Sequence, residues 1–176
     1  MSIEDTAELA LDRDEWVALE ASPAGDLAAL LRIALRLAPD RLVVGDVHGH
    51  EAFALAAALA GAVEGAVVAI AGDGVQAALD RWTSLARLAL ASPEEPVRQL
   101  VATAADIVVH VGRHADGGSR VVAIEEVRGL AADGFDTQAL FVYRRDGGFA
   151  ATGATPGFWA ELGERGVAAD PSIFAL

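Results

Sequence analysis

Two rhythms of apolar and polar residues run along this chain. Residues 16–21, WVALEA, alternate with period 2, as a half-exposed strand does. Residues 27–35 instead place Leu27, Leu30, Leu31, Ala34 and Leu35 on one face of a helix. Asp26 can cap that helix after the Ser-Pro-Ala-Gly turn signal at 22–25, and Pro39 stops it. Short apolar runs at 41–47, 66–71 and 106–113 read as strands. Residues 51–62, 75–91 and 97–105 read as the helices between and after them. Residues 2–4 look like the tail of a strand, and 5–11 like a turn or short helical excursion. The turn Asp116-Gly117-Gly118 joins 106–113 to a strand over 120–127, a β-hairpin. A further strand follows at 139–145 and a short helix at 156–165.

Strands alternate with helices up to about residue 113 and then follow one another directly. That order predicts an α/β fold, a mostly parallel three-layer core with an antiparallel C-terminal appendage. A single domain over residues 1–176 is expected, with 1–113 as the parallel core and 114–176 as antiparallel strands and a C-terminal helix. No internal repeat or low-complexity linker divides it.

Composition narrows the function. At 176 residues the chain can bury a sizeable core. A net charge of −13 argues against nucleic acid and against anionic membrane. The longest apolar run, 52–63, is too short to span a bilayer and is broken by Gly61. With no cysteine and an acidic N-terminus, a cytoplasmic protein is expected, without nucleic-acid partners or membrane insertion. The sequence has no lysine and no asparagine, so chemistry that requires either is excluded for these 176 residues acting alone.

Candidate chemistry gathers at 41–52, RLVVGDVHGHEA, an apolar strand ending in an acidic Gly/His turn before an alanine-rich helix. The carboxyl ends of strands in open α/β sheets are where ligands bind. Asp46, His48, His50 and Glu51 crowd that position. Each also has a plain structural reading: Asp46 accepting backbone N–H groups at the turn, and His48 and His50 as exposed turn residues. Likewise His110 reads as a core histidine, and Glu4, Asp5 and Glu8 as a solvated acidic face.

GDVHGH is similar to the first motif of the calcineurin-like metallophosphoesterases, which would make Asp46 and His48 metal ligands. Residues 71–74, AGDG, resemble that family's second motif with Asp73 as bridging carboxylate, and 112–116, GRHAD, stand near where a Gly-Asn-His motif belongs. Two-metal hydrolysis needs more ligands than Asp46, His48, Asp73 and His114 supply. The third motif's asparagine is absent, and no histidine follows His114. At most one weak, open metal site at Asp46, His48, His50 and Glu51 is expected, with Asp73 a further candidate.

A second resemblance covers almost the whole chain. Residues 3–9, IEDTAEL, look like the acidic box of the type II/IV secretion ATPases, closest to the CpaF-type pilus-assembly branch. Residues 16–23 resemble the following strand, and 35–52 the Walker B segment. Residues 65–73 fall at the histidine box, and 106–129, DIVVHVGRHADGGSRVVAIEEVRG, match best. The last part, FVYRRDGGFAATGATPGFWAELGERG, is also similar to that branch. The resemblance implies a RecA-like motor core, hexameric in the family, that drives pilus or secretion machinery. It places Glu4 at the acidic-box carboxylate, Asp46 at the Walker B glutamate, Glu51 at a kept acidic position and Ala71 at the histidine. His48 stands for an arginine and His50 for a glycine.

The family's Gly-rich phosphate loop with its lysine lies upstream of the acidic box, and this chain is expected to lack it. Without that loop's N–H groups and lysine, nucleotide has little to hold it. Expected, therefore, is a catalytically inactive relative with no cofactor, a scaffold or regulatory binding subunit that self-associates or joins an intact paralogous ATPase. The alternatives are a phosphoesterase, or half of an ATPase whose phosphate loop comes from another chain. The resemblance also puts the phosphate-loop strand between 66–71 and 106–113. Those two strands are expected to close directly on each other, with Val108, Val109 and Val111 buried on both faces.

Overall fold

The computed structural model describes residues 1–23, 25–61, 63–90, 92–144, 147–168 and 170–175, with the backbone alone of Leu90. The chain divides into two compact units, Met1–Gly72 with Ala77–Ala104, and Asp73–Gln76 with Ala105–Leu176.

The first unit is built on four parallel strands in the order β2-β1-β3-β4: β1 (Ser2–Glu4), β2 (Ala18–Glu20), β3 (Leu42–Val44) and β4 (Ala66–Val68). The register sets Ile3 beside Leu19 on one side and Val44 on the other, and Val44 beside Val68. Ile3, Leu42 and Val44 are buried because β1 and β3 are the central strands. Ser2 is buried too, its hydroxyl accepting from Trp16 Nε1 at 2.9 Å.

Helix α1 (Leu27–Leu37) starts where Asp26 accepts from Ala29 N at 2.8 Å. It buries Leu27, Leu31 and Ala34 at helical spacing and ends with Ala38 left-handed, just before Pro39. Helix α2 (Glu51–Leu59) is hydrophobic all round and packs against both α1 and α4 (Glu94–Ala104). Its buried Ala52 and Ala56 keep those neighbours close. Helix α3 (Val75–Leu90) buries Leu79, Trp82, Thr83 and Ala86, and the Trp82 indole donates to Ala52 O at 3.0 Å. A Cβ on Gly72 would lie 2.6 Å from Ala78 Cα, so only glycine lets the loop run this close to α3.

The second unit is an antiparallel meander, β5 (Ile107–Arg113), β6 (Ser119–Ala131), β7 (Gly134–Arg144) and β8 (Gly148–Ala151), paired in that order. Gln76 acts as a short strand partner: its side chain donates to Phe135 O at 2.8 Å and accepts from Phe135 N at 3.2 Å. Helix α5 (Trp159–Glu164) and the 3-10 turn Pro171–Phe174 follow the sheet. Phe174 is buried with its ring 5.5 Å from Phe141 and 5.0 Å from Trp159. Buried Glu126 accepts from Gly157 N at 2.6 Å and so ties this C-terminal segment to β6.

The expected parallel α/β core with an antiparallel C-terminal part is what the chain forms. Its details correct two expectations. Residues 107–113 are not a parallel core strand: β5 pairs antiparallel with β6. Nor do 66–71 and 106–113 close on each other, since β4 pairs with β3 and ends one sheet while β5 begins the other. The Asp116-Gly118 turn gives β5 an antiparallel partner on one side, and among the described residues no strand pairs with its other side. Burial follows: Val109 and Val111 are 50% and 56% exposed, not buried on both faces. Strand β8 and the 3-10 turn are additional to the predicted elements. The predicted helix ends at Ala62 and Ala91, the strand end at Arg145 and the turn position Ala24 lie outside the described residues. Among the described residues no helix is long and apolar enough to cross a membrane.

Candidate functional site

Because β1, β3 and β4 run parallel, their carboxyl ends share one edge of the sheet, and Glu4, Asp46 and Ala71 all come from that edge. Register places Glu4 of β1 directly beside Glu20 of β2. Gly45 follows β3, and a Cβ there would lie 3.3 Å from Glu4 Cγ, so glycine makes room for this carboxylate.

Glu4 is 5% exposed, and its Oε1 accepts from both Glu8 N and Leu9 N at 2.9 Å. Neighbouring Glu20 accepts from Ala7 N at 3.1 Å. Two like charges thus sit side by side on adjacent strands because each draws its own backbone N–H groups from residues 7–9. Glu4 is therefore not part of a solvated acidic face. Glu20 was not among the sequence candidates, although the alternation in WVALEA and the pairing of 2–4 with 18–20 put it in line with Glu4.

The turn after β3 has its own internal order. Gly45 N donates to Ile3 O and Val47 N to Ala69 O, each at 2.9 Å, so pairing continues past the end of β3. Between them Asp46 is exposed and takes a left-handed conformation, φ 38°. Val47 turns into the core and His48 and His50 turn outward. Glu51, 4% exposed, folds back so that its Oε1 accepts from His48 N at 2.8 Å and Gly49 N at 2.7 Å. The carboxylate that takes the turn's N–H groups is Glu51, not Asp46. A carboxylate at the first turn of α2 also lies in the favourable field of the helix N-terminus.

Asp46 carries a conformational cost that glycine would not. Asp46→Gly is expected to raise stability by about 0.5–1 kcal/mol, the left-handed penalty relieved less the extra freedom of an unfolded glycine. Urea unfolding followed by circular dichroism measures it. A loss of stability would mean that the carboxylate itself holds the turn.

The remaining candidates do not assemble into a ligand set. Ala71 and Asp73 are exposed on the loop between β4 and α3, and a methyl at Ala71 offers no donor or acceptor. His110 is half-buried in β5 opposite Ala123. His114 stands at the β5–β6 turn with its ring edge-on to Tyr143 at 4.8 Å. Asp116 in the same turn accepts from Gly118 N and pairs with Arg120. The Gly118 amide first, and then Arg120, hold its carboxyl below the usual carboxylate range. What it adds to stability is present above that range and lost as pH falls through the lowered value. Among the described residues no three His, Asp or Glu side chains converge as metal ligands. An open hollow of about 480 Å³, lined by Phe141, Arg144, Phe149 and Ile173 among others, belongs to the antiparallel sheet and holds none of the candidate carboxylates.

Comparison with known proteins gives consistent matches. A family model described as type II/IV secretion system protein matches residues 1–111. The chain is 31% identical over 137 residues to the TrbB conjugal transfer protein of Sinorhizobium fredii, covering 78% of this chain and 41% of that one. It is 33% identical over 156 residues to a Mycobacterium tuberculosis protein also named for conjugal transfer, covering 83% and 42%. The VirB11 ATPase of the Brucella suis type IV secretion system, crystallised with sulphate, superposes with a TM-score of 0.62 at 27% identity, over 71% of this chain and 39% of that one. The chain thus spans about two fifths of the length of each of these relatives.

Proposed function

This chain belongs to the type II/IV secretion ATPase family, and we propose that it serves there as a binding subunit that does not itself hydrolyse ATP. The observation that carries the proposal is how the two carboxylates at family positions are used. Glu4 and Glu51 are buried, and each directs one oxygen at two backbone N–H groups of its own loop. They act as caps that hold the sheet edge, an acceptor role that needs no substrate. Asp46, where the resemblance expects the Walker B glutamate, is a methylene shorter and sits in a strained turn. The 176 residues contain no lysine, so no lysine-bearing phosphate loop is among them.

Its partners in this reading are a second copy of the chain or an intact secretion ATPase, met on the cytoplasmic side of the membrane. Residues 1–176 work as one functional domain. Phosphate release from ATP–Mg²⁺ tests the proposal: the chain alone is expected to give none above background. Release that falls when Glu4 or Glu51 is changed to glutamine would overturn it, because those substitutions keep the caps' acceptors and remove only the charge.

A further inference from the structure

Thr152 still belongs to the antiparallel sheet, its amide donating to Leu140 O at 2.9 Å, and the chain leaves the sheet at Gly153 with φ 89°. Among the described residues of 153–175 only Pro156 and Phe174 are buried. Two ties reach back to the sheet. Near the start, Gly157 N donates to buried Glu126 of β6 at 2.6 Å. Near the end, the buried Phe174 ring lies 5.5 Å from the ring of Phe141 in β7. Phe141 pairs with Ile124, two residues from Glu126 along β6, so both ties fall on one face of the sheet. Other bonds of the segment close on itself. Trp159 N and Val167 N donate to Pro156 O and Leu162 O, and Asp170 accepts from Ser172 N at 2.8 Å. The Trp159 ring meets Phe174 edge-on at 5.0 Å.

We propose that residues 153–175 are a strap that opens and closes as one piece over the β6–β7 face, turning at Gly153, with Glu126 as its latch and Phe174 as its plug. The Trp159–Phe174 contact joins the two ends of the strap, so releasing either tie weakens the other. A segment that buries so little opens at a small part of the free energy that unfolds the strands beneath it. Those strands bury Val127, Phe135 and Leu140 and pair with each other along most of their length. The strap also shapes its surroundings. Ile173 and Ala175 form one wall of the open hollow of about 480 Å³, and β7 and β8 supply the others. Opening removes that wall and bares the Phe141 ring, so the strap decides whether the hollow exists. This inference stands apart from the proposed loss of hydrolysis and needs no second copy of the chain.

Hydrogen–deuterium exchange of the full chain, read by mass spectrometry on peptides from 157–175 and from β7, tests it. Strap peptides are expected to exchange at least about tenfold faster than those of β7. Phe174→Ala and Glu126→Ala should each speed exchange about tenfold more across the whole of 157–175, while β7 stays near its wild-type rate. Glu126→Gln keeps an acceptor in the same place and should leave the strap near its wild-type rate. Circular dichroism confirms that each variant is folded. Should Glu126→Ala unfold, Phe174→Ala and Glu126→Gln decide alone. Strap peptides as protected as β7 would overturn the proposal. So would a substitution that speeds exchange only beside its own tie, or equally in β7, because the segment would then not move as one piece. Glu126→Gln exchanging about tenfold faster than wild type would take the latch away from the Glu126 acceptor.

Discussion

Glu51→Ala is expected to lower the stability of the folded chain by about 2–4 kcal/mol, a large share of the roughly 5–15 kcal/mol typical of a domain. The change removes the acceptor of two N–H groups, His48 and Gly49, at a position 4% exposed. Water cannot easily replace it there, so both donors lose their partner at the entry to α2. Glu51→Gln keeps an amide oxygen of the same reach and loses only the charge, and should cost about 1 kcal/mol. Urea unfolding of both variants makes the comparison. A residue held in place for chemistry commonly leaves stability unchanged or improved when it is removed. A neutral Glu51→Ala would therefore return this carboxylate to the list of catalytic candidates.

Trp82→Ala should have an effect at least as large, about 3–5 kcal/mol, as for other large-to-small changes in a core. Trp82 is 5% exposed on the buried face of α3, and its indole N–H reaches the carbonyl of Ala52 in the first turn of α2. Losing the ring leaves a cavity in the first unit beside the helix that Glu51 caps. Trp82→Phe fills most of that volume and loses the hydrogen bond, so about 1–2 kcal/mol is expected. Ellipticity in urea is the suitable probe, since the substitution removes one of three tryptophan fluorophores. Equal losses for the two variants would mean that the hydrogen bond, not the packing, carries this contact.

What could be read from the sequence was local. Asp26, the spacing of Leu27, Leu31 and Ala34, and Pro39 define α1 within a dozen residues, and the structure places that helix as expected. The apolar run 41–47 ending in Gly-Asp likewise marks β3 and the turn at the sheet's edge. Strand β5 was harder, because an apolar run gives no sign of its partner. DIVVHVGR suits a doubly buried parallel strand, yet a hairpin turn a few residues later supplies an antiparallel neighbour, and among the described residues no strand pairs with the other side. Strand β8 is four residues that start on the second glycine of a pair and end before Thr152, too short to set a rhythm.

Candidate positions were legible and their roles less so. Glu4 and Glu51 stand out by their resemblance to family positions, but their use as caps appears only with the folded loop around them. Glu51 did carry a local signal, an acidic residue just inside a helix start. Glu126 and Gly157 carried none, since 31 residues separate donor from acceptor. His48, His50 and Asp73 attracted attention by residue type, and the turn after β3 and the loop after β4 leave them exposed.

Titration calorimetry with ATP–Mg²⁺ up to about 1 mM tests most directly whether this chain has lost nucleotide chemistry. No saturable heat is expected from the chain alone, with or without Glu51→Gln. A micromolar Kd that weakens when Asp46 or Glu51 is replaced would contradict it, and would place a working nucleotide site at the carboxyl edge of β1, β3 and β4.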